Sequence, residues 1–400
     1  MTSIINSYMH NIFRNKTEPK VSIITADYWL LGSAATLLIL GLVMVGSASI
    51  SISQRELGQP FYHLWRQMFV TGIGLLAALV VVKIPIRVWR DLSPLLVVVS
   101  LVLLLAVFIP GLGHTANGST RWISLGGFRL QASEFVKLFI VFYLASYLVR
   151  HTEAVRTSLG GFLRPLALLM VIMMLLLLEP DFGAAAVIIS TAMAMMWLGG
   201  VRASQFFLLV IAVACGLAAL VYTSEYRMQR LTAFLNPWDD PFNSGFQLTQ
   251  ALIAFGRGEW FGVGLGASVQ KLFYLPEAHT DFLFAVMAEE LGLVSVLIVI
   301  TLFTIFVYRA LLIGRAAENR ERPFAGYVAY GLSVWVALQA FINIGVNMGV
   351  LPTKGLTLPF MSYGGNSIIV MCVVVALLVR IDFETRRDDR TVQRSKHKPW

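Results

Sequence analysis

A short set of ionisable residues stands inside long apolar runs or at their mouths: Glu134 and Lys137, Glu179 and Asp181, Asp281, and the adjacent Glu289 and Glu290. Charged groups in that setting cost roughly 2.5–3.5 kcal/mol each on insertion into a bilayer unless they pair or do chemistry. A carboxylate at such a margin is suited to taking a proton from a hydroxyl. Nearby Arg and Lys are suited to holding phosphate oxygens. Asp281 follows the run Leu275 to Thr280 and is predicted to open a helix capped by Thr280, ionised or nearly so beside the positive end of the dipole. Glu289, eight residues on, lies about 12 Å deeper and about 80° around the same helix, so it is expected to share one cavity wall with Asp281. Glu290 points away and needs another partner. Glu134 and Lys137 are three apart, face one way and are expected to pair, and Lys137 is also a natural partner for Glu289 across two helices. The plain alternatives are a helix-start charge for Asp281 and a structural ion pair for Glu134 and Lys137.

Further cations sit in the intervening loops: Arg121 and Arg129, then Arg227, Arg230 and Arg257, then Lys354. The glycine-rich stretch from Gly256 to Gly266 lacks the strand that would precede a nucleotide-binding loop. It is predicted to be a tight re-entrant or surface loop in which glycines permit close backbone approach. Pro352, Gly355, Pro359, Gly364 and Gly365 around Lys354 make a broken connection whose free amides would hold an anion or merely turn the chain. Cys215 and Cys372 both fall in apolar blocks, which leaves no disulfide framework or zinc motif.

The elements that must position these groups follow from composition. The 400 residues are 57% hydrophobic and 13% charged, against roughly 45–50% and roughly 25% in a soluble domain, which excludes a soluble enzyme. Apolar blocks long enough to cross a bilayer lie near 28–49, 67–83, 94–109, 134–149, 165–178, 184–199, 205–223, 281–308, 324–350 and 365–381. The fold class is therefore an all-α polytopic membrane protein of about ten transmembrane helices. An even number of spans puts both termini on one side, and about two thirds of the 31 Lys and Arg residues fall on that side, so it is the cytoplasm. The net charge of +9 reads as a topological signal and an attraction to anionic lipid, with little support for nucleic-acid binding. Residues 1–27 are a cytoplasmic N-terminal tail, 28–385 the membrane domain, 386–400 a solvated cytoplasmic end, and 224–280, between helices 7 and 8, a large outer loop. The cytoplasmic halves of the spans carry almost no ionisable residues, so the polar site is one-sided.

Six motifs carry a resemblance: Gly118 to Ile123 (GSTRWI), Gln131 to Lys137 (QASEFVK), Glu179 to Gly183 (EPDFG), Leu275 to Phe282 (LPEAHTDF), Ala288 to Gly292 (AEELG) and Asn347 to Gly365 (NMGVLPTKGLTLPFMSYGG). Together they closely resemble the signatures of the SEDS family (shape, elongation, division, sporulation) over about residues 28 to 385. Ala278 and the pair Thr353 and Lys354 resemble its division branch more than its elongation branch.

The resemblance implies a peptidoglycan glycosyltransferase that polymerises lipid II into β-1,4-linked strands on the periplasmic face of the bacterial inner membrane, at the division septum. It implies Asp281 as the catalytic residue, expected to act as general base on the acceptor hydroxyl. Arg121, Glu134, Lys137, Arg257, Glu277, His279, Glu289 and Lys354 are the expected substrate-binding residues. Implied partners are lipid II and the nascent strand, the class B transpeptidase FtsI, and the division proteins FtsQ, FtsL, FtsB and FtsN. No cofactor is required; a divalent ion would assist the pyrophosphate leaving group, although no ligand cluster is visible. The competing readings are a lipid II flippase, an elongation polymerase of the same family, and a non-catalytic scaffold for the transpeptidase.

Overall fold

The structure, a computed structural model, describes residues 27–396 apart from 117–118, 127, 224, 244 and 354. Every apolar block expected to span lies on a helix. Seven of these helices are long and apolar enough to cross a membrane: α1 (Tyr28–Leu57), α2 (Tyr62–Val81), α3 (Ile86–Ala106), α4 (Ala132–Arg150), α6 (Leu159–Leu178), α11 (Leu283–Glu318) and α12 (Pro323–Asn347). Two apolar stretches are shorter, α7 (Phe182–Leu198) and the first part of α8 (Ala203–Tyr222). The last helix, α13 (Gly365–Lys396), is apolar in its first half and runs on into the segment expected to be a solvated end. Short α5 (Thr152–Thr157) links α4 to α6.

α4 is the central post. Its most apolar window is 78% buried, against 22% for α3, which instead turns Leu95, Val98, Val102 and Leu105 outward. Such bare apolar faces suit hydrocarbon, and helices suit it too because each satisfies its own backbone polar groups.

The bundle has two polar ends. At one, Arg309 grips Asp27, Arg380 and Arg322 meet Glu384 at 2.7 and 2.8 Å, and Arg386 meets Asp382 at 2.7 Å. Arg380 and Asp382 are buried, so the expectation that this half carries almost no ionisable groups does not hold. The opposite end carries a feature the all-helical expectation left out, a small antiparallel sheet of β1 (Gly113–Ala116), β2 (Ser119–Leu125) and β3 (Phe128–Gln131), with Trp122 opposite both His114 and Gln131.

The long loop 224–280 holds α9 (Glu225–Leu235) and α10 (Phe246–Gly258), and its glycine stretch repairs a break in α11. Gly292 takes φ +72°, ψ −174°, a conformation open to glycine alone, which removes the helical bonds that residues 293 and 294 would make to 289 and 290. All four freed groups find partners on the glycine stretch. Val263 and Gly264 N–H donate to the Glu289 and Glu290 carbonyls, both at 3.0 Å; Leu293 and Val294 N–H donate to the Glu259 and Trp260 carbonyls at 2.9 and 3.2 Å. The close backbone approach expected of this loop is thus present. A β-carbon on Gly258 would stand 1.9 Å from the Ala288 carbonyl oxygen, whereas one on Gly256 would meet nothing within 4 Å. Gly258→Ala is therefore expected to pry the loop from α11, lowering the unfolding temperature in detergent and opening 259–275 to protease. Gly256→Ala should do neither; equal behaviour of the two variants would contradict this packing.

Candidate functional site

At the sheet end, one cavity of about 2670 Å³ opens between the helices. Its wall is apolar along α6, α7 and α8, through Phe162, Leu166, Met170, Met173, Ile189 and Leu208, and again along α2 through Trp65 and Phe69. Its head is polar, formed by β2, the 276–282 turn and the 352–367 connection. Asp281, Glu277, His279, Arg121 and Glu134, all expected site residues, line this one space.

Asp281 sits at the meeting point. A β-carbon built on Gly355 would lie 3.1 Å from its Oδ2 and 4.0 Å from Arg121 Nη1, so carboxylate, guanidinium and a bare stretch of backbone converge. Arg121 is poised by the 179–180 turn, donating from Nη2 to the Pro180 carbonyl at 2.6 Å and from Nε to that of Glu179 at 3.4 Å. Asp181 caps α7 through the Ala184 N–H at 3.2 Å and accepts from Ser133 Oγ at 2.9 Å.

Two expectations about Asp281 are corrected. The helix begins at Leu283, and Thr280 donates to Glu277 Oε2 at 2.7 Å instead of capping it. Asp281 thus lies on the turn before α11. Nor is it a fully ionised helix-start charge: burial, then the nearby Glu277 carboxylate, pushes it up to about 7, with Arg121 pulling the other way. Water loss disfavours the charged form of an acid.

His279 packs against His63 and Tyr363, with ring centroids 5.0 and 5.4 Å away. Burial, then His63, lowers it to about 4, so at neutral pH it is an uncharged hydrogen-bonding ring and not a cation. Glu179 is buried, and burial, then Asp181, raises it to about 8.

The expected pairing of Lys137 with Glu289 is absent. Lys137 Nζ donates to Glu134 Oε1 and to Gln339 Oε1, each at 2.8 Å, so the ion pair of the sequence expectation is present and enclosed. Glu289 does not share the cavity wall with Asp281. It is fully buried under the glycine-rich loop and the residues after it, where Arg257 Nη1 lies 3.0 Å away, Ser268 Oγ donates to it, and the Val269 and Gln270 N–H groups donate at 3.2 and 3.3 Å. Arg257 is likewise held there and not at the cavity. Glu290 finds the partner it needed in Lys271, at 2.7 Å, and in Ser47, whose Oγ donates at 2.7–2.8 Å. Lys354 lies outside the described residues; its neighbours Pro352, Thr353 and Gly355 line the cavity. Among the described residues, no group of three or more His, Cys, Asp or Glu could hold a metal ion.

Sequence reasoning passed over Gln339 and Asn343, and gave Asn347, the first residue of the last motif, no role. All three are buried on α12, and their spacing of four residues was the available signal, since buried carboxamides on an apolar helix face must have partners. Asn343 and Asn347 Nδ2 both donate to the Asp281 carbonyl, at 2.9 and 3.0 Å, and Gln339 Nε2 donates to that of Thr357 at 3.0 Å.

Fold and site together define a polytopic helical membrane protein with a polar pocket heading a broad apolar cavity. A family model described as cell cycle protein, covering FtsW, RodA and SpoVE, matches residues 28–387, and the chain belongs to this family, the SEDS proteins. It is 59% identical over 360 residues to a probable peptidoglycan glycosyltransferase FtsW of Nitrosococcus halophilus, covering 90% of this chain and 93% of that one. It is 56% identical to the probable peptidoglycan glycosyltransferase FtsW of Legionella pneumophila, covering 90% and 91%. Among solved structures, it superposes on a chain of a peptidoglycan synthase complex with a TM-score of 0.75 at 26% identity, covering 91% of this chain and 99% of that one. Rod shape determining protein RodA of Thermus thermophilus gives 0.67 at 26%, covering 90% and 97%.

Lys137→Met would leave Glu134 buried without its cation. Removing one partner of an enclosed ion pair costs roughly 3–5 kcal/mol, so the variant should unfold at a clearly lower temperature in detergent. Adding Glu134→Gln should recover much of the loss; a single variant as stable as the parent would show that the pair contributes nothing.

Proposed function

We propose that this chain is a peptidoglycan glycosyltransferase of the FtsW kind, extending glycan strands from lipid II with Asp281 as general base. The observation that carries the proposal is the convergence of the Asp281 carboxylate, the Arg121 guanidinium and the bare Gly355 backbone at the polar head of a cavity whose remaining wall is apolar. The names of the 56–59% identical relatives and the likeness to a synthase-complex chain support it.

Lipid II joins a disaccharide to a prenyl chain through a pyrophosphate, and the cavity offers matching surfaces. The prenyl chain would lie against α6, α7 and α8. Its sugar would reach Asp281, which removes the proton from the acceptor 4-hydroxyl as that oxygen attacks the anomeric carbon of the growing strand. The anomeric C–O bond to pyrophosphate breaks, undecaprenyl pyrophosphate leaves, and back-side attack inverts the centre to a β-1,4 link. A pyrophosphate needs no acid to protonate it on departure, so one carboxyl suffices where glycoside hydrolysis uses two. Arg121 would exchange its backbone carbonyls for phosphate oxygens, a stronger charge-assisted bond. Neutral His279 would offer the sugar a hydrogen bond. A base near pH 7 balances the fraction ionised against proton affinity.

The excess of Lys and Arg at the end holding Arg309 and Arg386 supports a cytoplasmic assignment for that end and for both termini, with ten crossings. The catalytic head would then face the periplasm, as a septal enzyme of the inner membrane requires. A class B transpeptidase, FtsI, is the proposed working partner, alongside FtsQ, FtsL, FtsB and FtsN.

Purified Asp281→Asn should insert and fold as the parent does but polymerise lipid II at least about 100-fold more slowly, the lower bound for loss of a general base. Parental activity would eliminate the mechanism. In the parent, the rate should fall as pH drops through about 7, where Asp281 takes up its proton. Because the Glu277 carboxylate raises Asp281, Glu277→Gln should move that midpoint to lower pH; an unmoved or raised midpoint would contradict the electrostatics.

A further inference from the structure

Behind the cavity, α12 carries a three-rung polar ladder. Gln339, Asn343 and Asn347 follow one another at single-turn intervals, and each is at most 2% exposed. An unpartnered carboxamide in such surroundings would cost several kcal/mol, and each rung donates to a backbone carbonyl on the Asp281 turn or the chain facing it. Asn347 Nδ2 donates to the Asp281 carbonyl at 3.0 Å and its Oδ1 accepts from the Ala285 N–H at 3.1 Å. That N–H also donates to the Phe282 carbonyl at 3.1 Å, so Asn347 adds a side-chain acceptor to the first turn of α11, where Phe282 at the cap supplies none. Asn343 Nδ2 donates to the same Asp281 carbonyl at 2.9 Å and to the Leu356 carbonyl at 2.5 Å. Gln339 donates to the Thr357 carbonyl at 3.0 Å while its Oε1 accepts from Lys137 and Trp335 at 2.8 and 2.9 Å.

Two amides thus fill both lone pairs of one carbonyl, that of Asp281, and the same ladder holds residues 356 and 357 beside Gly355, against which the Asp281 carboxylate lies. The turn carrying the carboxylate also has Glu277 at φ +56°, a backbone state that a non-glycine residue keeps only when its surroundings impose it.

We propose that Asn343 and Asn347 are the positioning residues of the reaction: they fix the Asp281 backbone so that its carboxylate meets the acceptor hydroxyl, and Gln339 sets the facing wall to the same register. This rests on Asp281 being the base. It assigns the carboxamide ladder a share of kcat and none of substrate affinity, because none of the three side chains lines the cavity.

The test is steady-state polymerisation of lipid II by full-length Asn343→Ala, Asn343→Asp and Asn347→Asp proteins, with Asp281→Asn alongside, each first checked for its unfolding temperature in detergent. Misplacing a reacting group by about 1 Å costs on the order of 100-fold, so kcat should fall tens of fold while KM for lipid II stays within about twofold. The two Asp variants keep the shape of the side chain but, enclosed and set against carbonyl oxygens, would hold their proton and offer one donor where the carboxamide has two. Hence kcat should fall in all three variants while the midpoint of the pH–rate profile, set by Asp281 with Glu277, Arg121 on β2 and Asp181 at the start of α7 around it, stays put. Asn347→Asp also touches the Ala285 N–H; should it fail to fold, Asn343→Ala carries the test alone through its split between kcat and KM. Folded variants with parental kcat, beside an inactive Asp281→Asn, would overturn the ladder's role and leave the base intact. Loss of activity that merely tracks loss of thermal stability would overturn it too. An active Asp281→Asn would instead overturn the reading on which the ladder rests.

Discussion

A carboxyl that is to act as a base at the rim of an apolar cavity has to be dry enough to want its proton and fixed enough to face one atom of its substrate, and these demands oppose each other. Drying a carboxylate without partners favours its escape toward water. In this chain the conflict is relieved by holding the backbone instead of the side chain. The Asp281 carbonyl takes two carboxamide donors from α12, while the carboxylate itself stays at the cavity with Arg121 and Glu277 as its electrostatic surroundings. Burial raises the acid and the nearby cation keeps the rise moderate, which leaves a group that exchanges protons near neutral pH.

The same economy governs the charges that the mechanism does not use. Glu134 with Lys137, Glu289 with Arg257, and Glu290 with Lys271 and Ser47 are paired, and each carboxylate is buried. Such pairs are weak evidence for stability, since a well-packed apolar substitute of both partners often does as well. Their effect here is geometric. Two of them clamp the glycine-rich loop onto the break at Gly292, where backbone groups released by the break would otherwise lack partners. The loop, the break and the acids form one unit, and the start of α11, just after Asp281, is anchored through it.

Length, apolar blocks and flanking charge were enough to place the helices, because hydrocarbon admits few alternatives to a self-satisfied helix. Asp281 and Arg121 were legible for a related reason, since charged residues in an apolar chain are rare and so stand out; Glu277 and His279 entered as site residues only through the family resemblance of their motif. What failed was partnership. A helical wheel gives the face of Glu289 but assumes a continuous helix, and it cannot see that residues 259–271 fold back to cover it; Lys137, rightly paired with Glu134, was therefore wrongly offered Glu289 as well. Lys271 was overlooked because it lies in a loop, where a cation is ordinarily solvated. Gln339, Asn343 and Asn347 carry no charge and broke no hydropathy rule, so their role is visible only once α12 is set against the 276–282 turn.

The most direct test of the central claim is a cryo-EM structure with lipid II and a short nascent strand bound. The account requires the acceptor 4-hydroxyl within about 2.6–3.2 Å of an Asp281 carboxylate oxygen, the prenyl chain along α6 to α8 and the pyrophosphate at Arg121. A substrate seated in this cavity with its hydroxyl facing another side chain, or seated outside the cavity altogether, would contradict it.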